Sequence, residues 1–302
     1  MHVYLEITNC CNRQCSFCPG TGRKKLFADP GLLRSRMEKI RSRAEILYLH
    51  VLGEPLLHPQ FEEILRHCEE IKIPVNLTTN GTLLTEEKQT LLLRCKTLRQ
   101  INFSLQALEE TELPLLDRIL QFSLKALEQR EDLYLNLRMW NIAEKDFSLP
   151  AKDLLFLQKI FHTLELPFEN GSPGPLFQKR HRSLNLKGRL YLHCNDLFEW
   201  PVQVKDSCRE QPGKVFCHGL NKQIAILADG SVVPCCLDSE GIMVLGNLDE
   251  HASLEEILSA KRAQRIKEGF RNGAAAEMLC RKCTYRTTHV TAIRRGTSHP
   301  EA

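Results

Sequence analysis

Cys11-Asn12-Arg13-Gln14-Cys15-Ser16-Phe17-Cys18 sets three cysteines at C-x3-C-x2-C spacing near the start of a 302-residue chain. Three thiolates so close in sequence can converge on one soft metal centre, either an iron–sulfur cluster or a structural zinc. Structural zinc needs a fourth ligand at short range, and Pro19, Gly20, Thr21 and Gly22 follow instead. A cubane held by three thiolates keeps one iron without a protein ligand, and such an iron can bind a substrate or cofactor. That favours an active cluster over a zinc or disulfide staple, which is the alternative. Cys10 competes for the first position but would give C-x4-C, so Cys11 is the expected ligand.

Outward from this stretch the chain alternates. Val3 to Ile7 is apolar except for Glu6 and reads as a short buried strand. It delivers Cys11 just past its C-terminal end, where parallel α/β sheets and barrels bind ligands. Further strands are expected at 46–52, 75–79, 100–105, 133–139 and 164–168. Between them lie helical stripes: 31–43 with Leu32, Leu33, Met37 and Ile40; Pro59 to Ile71; Leu84 to Cys95; 112–130; and 151–163. Pro59 suits a first helical turn, and Cys68 and Cys95 fall on apolar faces as core residues. Strand and helix in alternation are the pattern of βαβ units.

Gly171-Ser172-Pro173-Gly174-Pro175 breaks the composition. Beyond it, 188–192 and 197–200 flank Asn195-Asp196, and 223–228 and 231–234 flank Asp229-Gly230. Both read as hairpins. Residues 253–270 read as one basic amphipathic helix with Leu254, Ile257, Leu258 and Ile266 inward. The chain from Thr287 onwards is expected to be loosely ordered.

Hydrophobic content of 42% supports a sizeable core, and a net charge of +4 is too mild to argue for nucleic acid or membrane. The first residues lack the basic and apolar regions of a secretory signal. No apolar run approaches the ~18 residues of a membrane span. Thirteen cysteines in such a chain suit metal binding in the cytoplasm better than disulfides.

Leu5-Glu6-Ile7-Thr8-Asn9-Cys10-Cys11-Asn12, continuing to Phe17-Cys18-Pro19, resembles the opening of a radical S-adenosylmethionine (radical SAM) enzyme. The resemblance implies a 4Fe–4S cluster on Cys11, Cys15 and Cys18. Its open iron would chelate the amino and carboxylate groups of S-adenosylmethionine, and reduction would release a 5′-deoxyadenosyl radical. Leu52-Gly53-Glu54-Pro55 resembles the family's GGEP turn, with Leu52 in place of the first glycine. Gly53 and Glu54 would then meet the methionine ammonium. Asn80, Ser104 and Arg138, at successive strand ends, resemble the contacts to ribose and methionine carboxylate, for which a guanidinium is well suited. Phe17 would bring its backbone near adenine.

Cys217, Gly230 and Cys235 form C-x12-G-x4-C, and Cys280-Arg281-Lys282-Cys283 is C-x2-C. With Gly246-Asn247 they resemble the SPASM auxiliary-cluster domain of radical SAM enzymes. The full two-cluster pattern needs further cysteines after the C-x2-C, and none follows Cys283. That resembles the shortened, one-cluster twitch form. It implies a second 4Fe–4S cluster, fully ligated by Cys217, Cys235, Cys280 and Cys283, for electron transfer or structure. Cys236 is the alternative to Cys235, and zinc is the alternative to iron–sulfur. Cys194 and Cys208 fit no spacing and read as structural.

The expected fold is therefore a partial (β/α)6 TIM-type barrel over 1–170, followed by a small β-hairpin and helix auxiliary domain over 171–302. The expected function is radical SAM chemistry on a peptide, a protein or a small molecule, with a flavodoxin or ferredoxin as reductant. The chain opens on its first barrel strand, which tilts the expectation towards a small molecule or a peptide delivered by a partner. Alternatives are a twitch-type dehydrogenase of a small alcohol or cyclitol, and a non-catalytic iron–sulfur sensor or electron carrier. Gln178-Lys179-Arg180-His181-Arg182 reads as a solvated loop or a contact for an anionic substrate.

Overall fold

A computed structural model describes residues 1–139, 150–168, 183–194, 199–204 and 217–285. Cys208, the 171–175 break, the basic 178–182 run, Asn195-Asp196 and the chain from Thr287 lie outside the described residues. Packing divides the chain into two compact units. One comprises Met1–Cys10, Ser16–Gly53 and Glu199–Ala302; the other comprises Cys11–Cys15 and Glu54–Phe198. The expected boundary near residue 170 falls inside the second unit.

In the first unit, β1 (His2–Leu5), α1 (Pro30–Ile40) and β2 (Ile46–Tyr48) make a parallel crossover, with Val3 opposite Leu47. Asp29 caps α1 by accepting from Leu32 N at 3.0 Å, a contact that contributes about 1 kcal/mol. Leu33, Met37 and Ile40 are buried as expected, but Leu32 is 46% exposed and Arg36 is buried in its stead. Charge does not keep Arg36 out: its guanidinium meets both Asp249 oxygens at 2.8 and 2.6 Å and Ala228 O at 3.0 Å.

The second unit runs α2 (Phe61–Ile71), β3 (Val75–Thr79), α3 (Glu86–Arg94), β4 (Leu98–Ser104), α4 (Leu113–Gln129), β5 (Tyr134–Met139), α5 (Ala151–Thr163), β6 (Ser183–Lys187) and β7 (Leu190–Cys194). Strands β3, β4, β5 and β7 pair in parallel in that order, and β6 pairs antiparallel to β7. Pro59 stands ahead of α2, whose cap is Gln60; Pro55 opens a short 3-10 turn instead. Phe61, Ile64, Leu65, Cys68 and Ile71 form the buried stripe of α2, and full burial of each large apolar side chain is worth about 1.5–3 kcal/mol.

One expectation changes here. Leu164–Phe168 is not a strand. It is the exit from α5, turned by Glu165 at φ 55° and closed by Leu166 N on Phe161 O at 2.8 Å. The strand parallel to β5 is β7, whose hairpin with β6 turns at Gly188-Arg189. Leu190–Cys194 pairs with β5 on one edge and β6 on the other, and the expected turn at Asn195-Asp196 lies outside the described residues.

The first unit resumes with β8 (Gln223–Ile226), which lies parallel to β1, then β9 (Ser231–Val233) and β10 (Gly246–Asn247), both antiparallel. The Asp229-Gly230 turn is as expected. Gly230 has φ 87°, and a Cβ there would meet Asn247 Oδ1 at 2.6 Å. The expected helix over 253–270 is two helices, α6 (Leu254–Ser259) and α7 (Lys261–Arg271), followed by α8 (Met278–Lys282). Ala260 is extended at φ −60°, ψ 149° and ends α6 while starting α7. The apolar face nevertheless holds: Leu254, Ile257, Leu258 and Ile266 are all buried. Among the described residues no helix is long and apolar enough to cross a membrane.

Candidate cluster and cofactor sites

In the second unit the loop Cys11–Cys15 is held by the two residues behind Cys11. Asn12 Nδ2 donates to Thr82 Oγ1 at 2.8 Å, and Asn12 Oδ1 accepts from Asn80 Nδ2 at 3.0 Å. Arg13 donates through Nη1 to Ala107 O at 2.8 Å and through Nη2 to Glu112 Oε1 at 2.5 Å. Cys11 is exposed and Cys15 half-buried, and the Arg13 amide points at Cys11 Sγ from 3.4 Å.

Glu54 is buried and wholly engaged within this unit. Its Oε1 accepts from Leu56 N at 3.0 Å and Thr79 Oγ1 at 2.7 Å, and its Oε2 accepts from Asn80 N at 2.8 Å. Burial pushes its carboxyl above the usual range, and these hydrogen bonds oppose the shift. Asn80 is equally committed: its Oδ1 accepts from Thr82 N at 2.9 Å and Thr82 Oγ1 at 2.6 Å. Glu54, Asn80 and Asn12 thus form one hydrogen-bonded chain from the glycine turn to the cysteine loop.

Ser104, Arg138 and His193 stand abreast on β4, β5 and β7, each the register partner of the next. Beneath them Gln100 Nε2 donates to Asn102 Oδ1 at 2.8 Å, and Asn136 Nδ2 to the same oxygen at 2.9 Å. With its amide so oriented, Asn136 Oδ1 is the acceptor 3.0 Å from His193 Nε2. The tautomer follows: the proton sits on Nε2 and Nδ1 is a lone-pair acceptor. Burial first, and the Arg138 charge second, lower the His193 pKa to about 4, so the ring is neutral near pH 7. Sequence reading missed His193, Asn102 and Asn136. The signal was the polar residue at every second strand position.

In the first unit Cys18 and Phe17 are half-buried. Gly53 has φ 79°, and a Cβ on it would stand 2.4 Å from Thr8 O and 2.9 Å from Cys10 O; only glycine allows that approach. Leu52, the departure from the family turn, packs with Val51, Ala225, Leu227 and Val233, and Cys18 packs against the same cluster. Leu52 N donates to Glu6 Oε1 at 3.1 Å. Glu6, read from sequence only as a break in an apolar strand, also accepts from both Arg23 Nη atoms at 2.8 Å and from Ala228 N at 2.9 Å.

The C-terminal cysteines that the family resemblance grouped share one cavity. Cys217, Cys235, Cys280 and Cys283 line one cavity, closed by Met243, Phe270 and Tyr285. Cys236 is not among its lining residues. It packs beside Tyr4, which hydrogen-bonds its thiol. Burial drives the thiols up, Cys217 to about 11, and Cys235 and Cys280 further. Desolvated thiols around one cavity suit a metal or cluster that binds them as thiolates. The Gly219 amide already points at Cys217 Sγ from 3.3 Å. Among the described residues, no three His, Cys, Asp or Glu side chains are drawn to the distance of a single bound ion, and no cysteine forms a disulfide. Cys194 is buried on β7, which accords with a structural role.

A mixed α/β fold with a cysteine loop beyond β1 and a C-terminal cysteine cavity suits an iron–sulfur protein. The family comparisons agree. The sequence model of the radical SAM superfamily matches residues 5–136, and that of the SPASM iron–sulfur cluster-binding domain matches 217–284. The chain carries a radical SAM superfamily domain, with a SPASM-type domain at its C-terminal side. These domains imply a 4Fe–4S cluster with S-adenosylmethionine and further iron–sulfur binding.

Among its relatives is the tungsten-containing aldehyde ferredoxin oxidoreductase cofactor-modifying protein of Pyrococcus furiosus, 32% identical over 94 residues, 28% of this chain. That match spans about a quarter (25%) of the Pyrococcus protein. The GTP 3′,8-cyclase of Microcystis aeruginosa is 26% identical over 315 residues, 88% of this chain and 89% of that one. Two crystal structures share the fold. BtrN in complex with AdoMet and 2-DOIA aligns at TM-score 0.59 and 17% identity, covering 94% of this chain and 92% of that one. Streptococcus suis SuiB bound to precursor peptide SuiA aligns at 0.58 and 16%, covering 88% and 66%.

Proposed function

We propose that this radical SAM enzyme oxidises a polar small molecule or peptide. Cys11, Cys15 and Cys18 are its cofactor-cluster ligands, and Cys217, Cys235, Cys280 and Cys283 hold one auxiliary 4Fe–4S cluster of the twitch kind. The reading rests on the four cysteines that line one cavity: a fully ligated site has no position for substrate, so electron transfer is its fitting role. Bound together, the N-terminal cluster and S-adenosylmethionine supply a 5′-deoxyadenosyl radical by reductive cleavage of the sulfonium. Gly53 gives the methionine ammonium a close backbone approach, and Glu54 fixes the turn beside it. Asn80, Ser104 and Arg138 serve ribose and carboxylate, and the Phe17 backbone serves adenine. A flavodoxin or ferredoxin is the reductant, and the cytoplasm is the compartment that suits it.

A narrower reading, oxidation of a small alcohol or cyclitol, is favoured by His193. A neutral imidazole with Nδ1 as acceptor can take the hydroxyl proton lost when an alcohol becomes a carbonyl. The neighbour BtrN, solved with 2-DOIA, and the neighbour SuiB, solved with a peptide, support a small and a peptide substrate respectively.

Anaerobic reconstitution tests the proposal. About eight irons per chain are expected, two cubanes of four. Replacing Cys280 and Cys283 by Ala should halve the iron and spare 5′-deoxyadenosine formation. One zinc with four irons would make the C-terminal site a zinc clip. Fully loaded protein that neither binds nor cleaves S-adenosylmethionine would favour the sensor or electron-carrier reading.

A further inference from the structure

The residues inside C-x3-C are usually treated as spacers, yet here they carry the loop's tertiary bonds. Arg13 spans 94 residues of sequence to Ala107 O and 99 to Glu112. Its side chain is 14% exposed and that of Glu112 is 29% exposed, so the pair is partly shielded and charge-assisted. Burial alone would raise the Glu112 carboxyl, yet the Arg13 hydrogen bond and charge hold it below its usual range. Glu112 is itself fixed, because its Oε2 accepts from Glu109 N at 2.8 Å in a reciprocal capping box ahead of α4. On the other side Asn12 is gripped by Asn80 and Thr82 just beyond β3, and Asn80 N is in turn held by the buried Glu54. The segments that follow β3 and β4 therefore both fasten one five-residue loop.

We propose that Asn12 and Arg13 are positioning residues. By tying the loop to the ends of β3 and β4, through Thr82–Asn80 and Ala107–Glu112, they set where Cys11 and Cys15 present a cluster to its cofactor. The inference rests on the reading of Cys11, Cys15 and Cys18 as ligands. Outer contacts that orient metal ligands are worth about 10–100-fold in metal affinity or activity. A purely structural brace would change folding stability and leave the cluster's spectrum as it was.

The test uses the full chain, reconstituted anaerobically, with Glu112→Gln and Thr82→Val as near-isosteric variants that keep every cysteine. Glu112→Gln removes the charge partner of Arg13, and Thr82→Val removes the acceptor for Asn12. Three readouts are taken: iron per chain, the rate of iron loss to a chelator, and the reduced EPR spectrum with and without S-adenosylmethionine. Expected are wild-type iron, loss of four irons about 10-fold faster, and an altered spectral response to S-adenosylmethionine. Adding Arg13→Lys to Glu112→Gln should speed release further, since it also gives up the guanidinium bond to Ala107 O. Release rates and S-adenosylmethionine-dependent spectra matching wild type in both variants would overturn the proposal. Failure of the ligand reading would look different: Cys11→Ala, Cys15→Ala, Cys18→Ala protein would then keep all its iron.

Discussion

The two cysteine sites solve the same chemical problem by opposite means. In the C-terminal cavity half-buried cysteines stand among largely apolar walls that include Met243, Phe270 and Tyr285, with the Gly219 amide aimed at Cys217 Sγ. At the N-terminal loop Cys11 is exposed, and the residues between the cysteines are held by charged and amide contacts. A closed site can rely on burial because nothing needs to enter. A site that must admit a cofactor cannot be covered, so its geometry has to come from bracing. The same division separates Glu6 from Glu54. One is an ion-paired carboxylate tying Arg23, Leu52 and Ala228 together, and the other is a neutral-partnered cage for the turn beside Asn80.

The sharpest way to break the contrast is to remove Cys11, Cys15 and Cys18 together. The account expects complete loss of 5′-deoxyadenosine formation and retention of about four irons, measured by product assay and iron analysis. Next is Glu6→Ala, which strands Arg23 and two backbone amides. Removing one partner of a buried pair costs about 3–5 kcal/mol, to be read from denaturant unfolding of the first unit's signals. Gly53→Ala follows: strain at positive φ costs about 1–3 kcal/mol. The carbonyls of Thr8 and Cys10 must also move, so weaker S-adenosylmethionine binding should accompany the loss of stability. The last effect appears only as the pH falls below neutral. Because the folded His193 pKa is about 4, below its unfolded value of about 6.5, the unfolded chain takes up the proton first. Stability should therefore be full above pH ~6.5 and fall as pH drops towards 4, and His193→Gln should flatten that fall in pH-dependent unfolding.

Much of this was legible in the sequence. The strands 75–79 and 133–139 and the helix 151–163 followed from period and length, and the four cysteines that the family resemblance grouped line one cavity. What hid was long-range and polar. Arg36 is buried because Asp249, far along the chain, awaits it. Leu164–Phe168 has a strand's composition, yet Glu165 takes a left-handed turn that closes the helix before it. Ala260 breaks a continuous apolar stripe without Gly or Pro to announce it. Asn12 and Arg13 looked like filler between ligands because their partners lie 68 to 99 residues away.

EPR of the reduced protein, titrated with S-adenosylmethionine, tests the contrast between an open and a closed site most directly. The account predicts two cubane signals of equal intensity. The one lost in the Cys11→Ala, Cys15→Ala, Cys18→Ala variant should shift on addition of the cofactor, and the other should not respond at any concentration. A single cubane signal, or a cofactor-induced shift in the signal that survives the triple replacement, would contradict it.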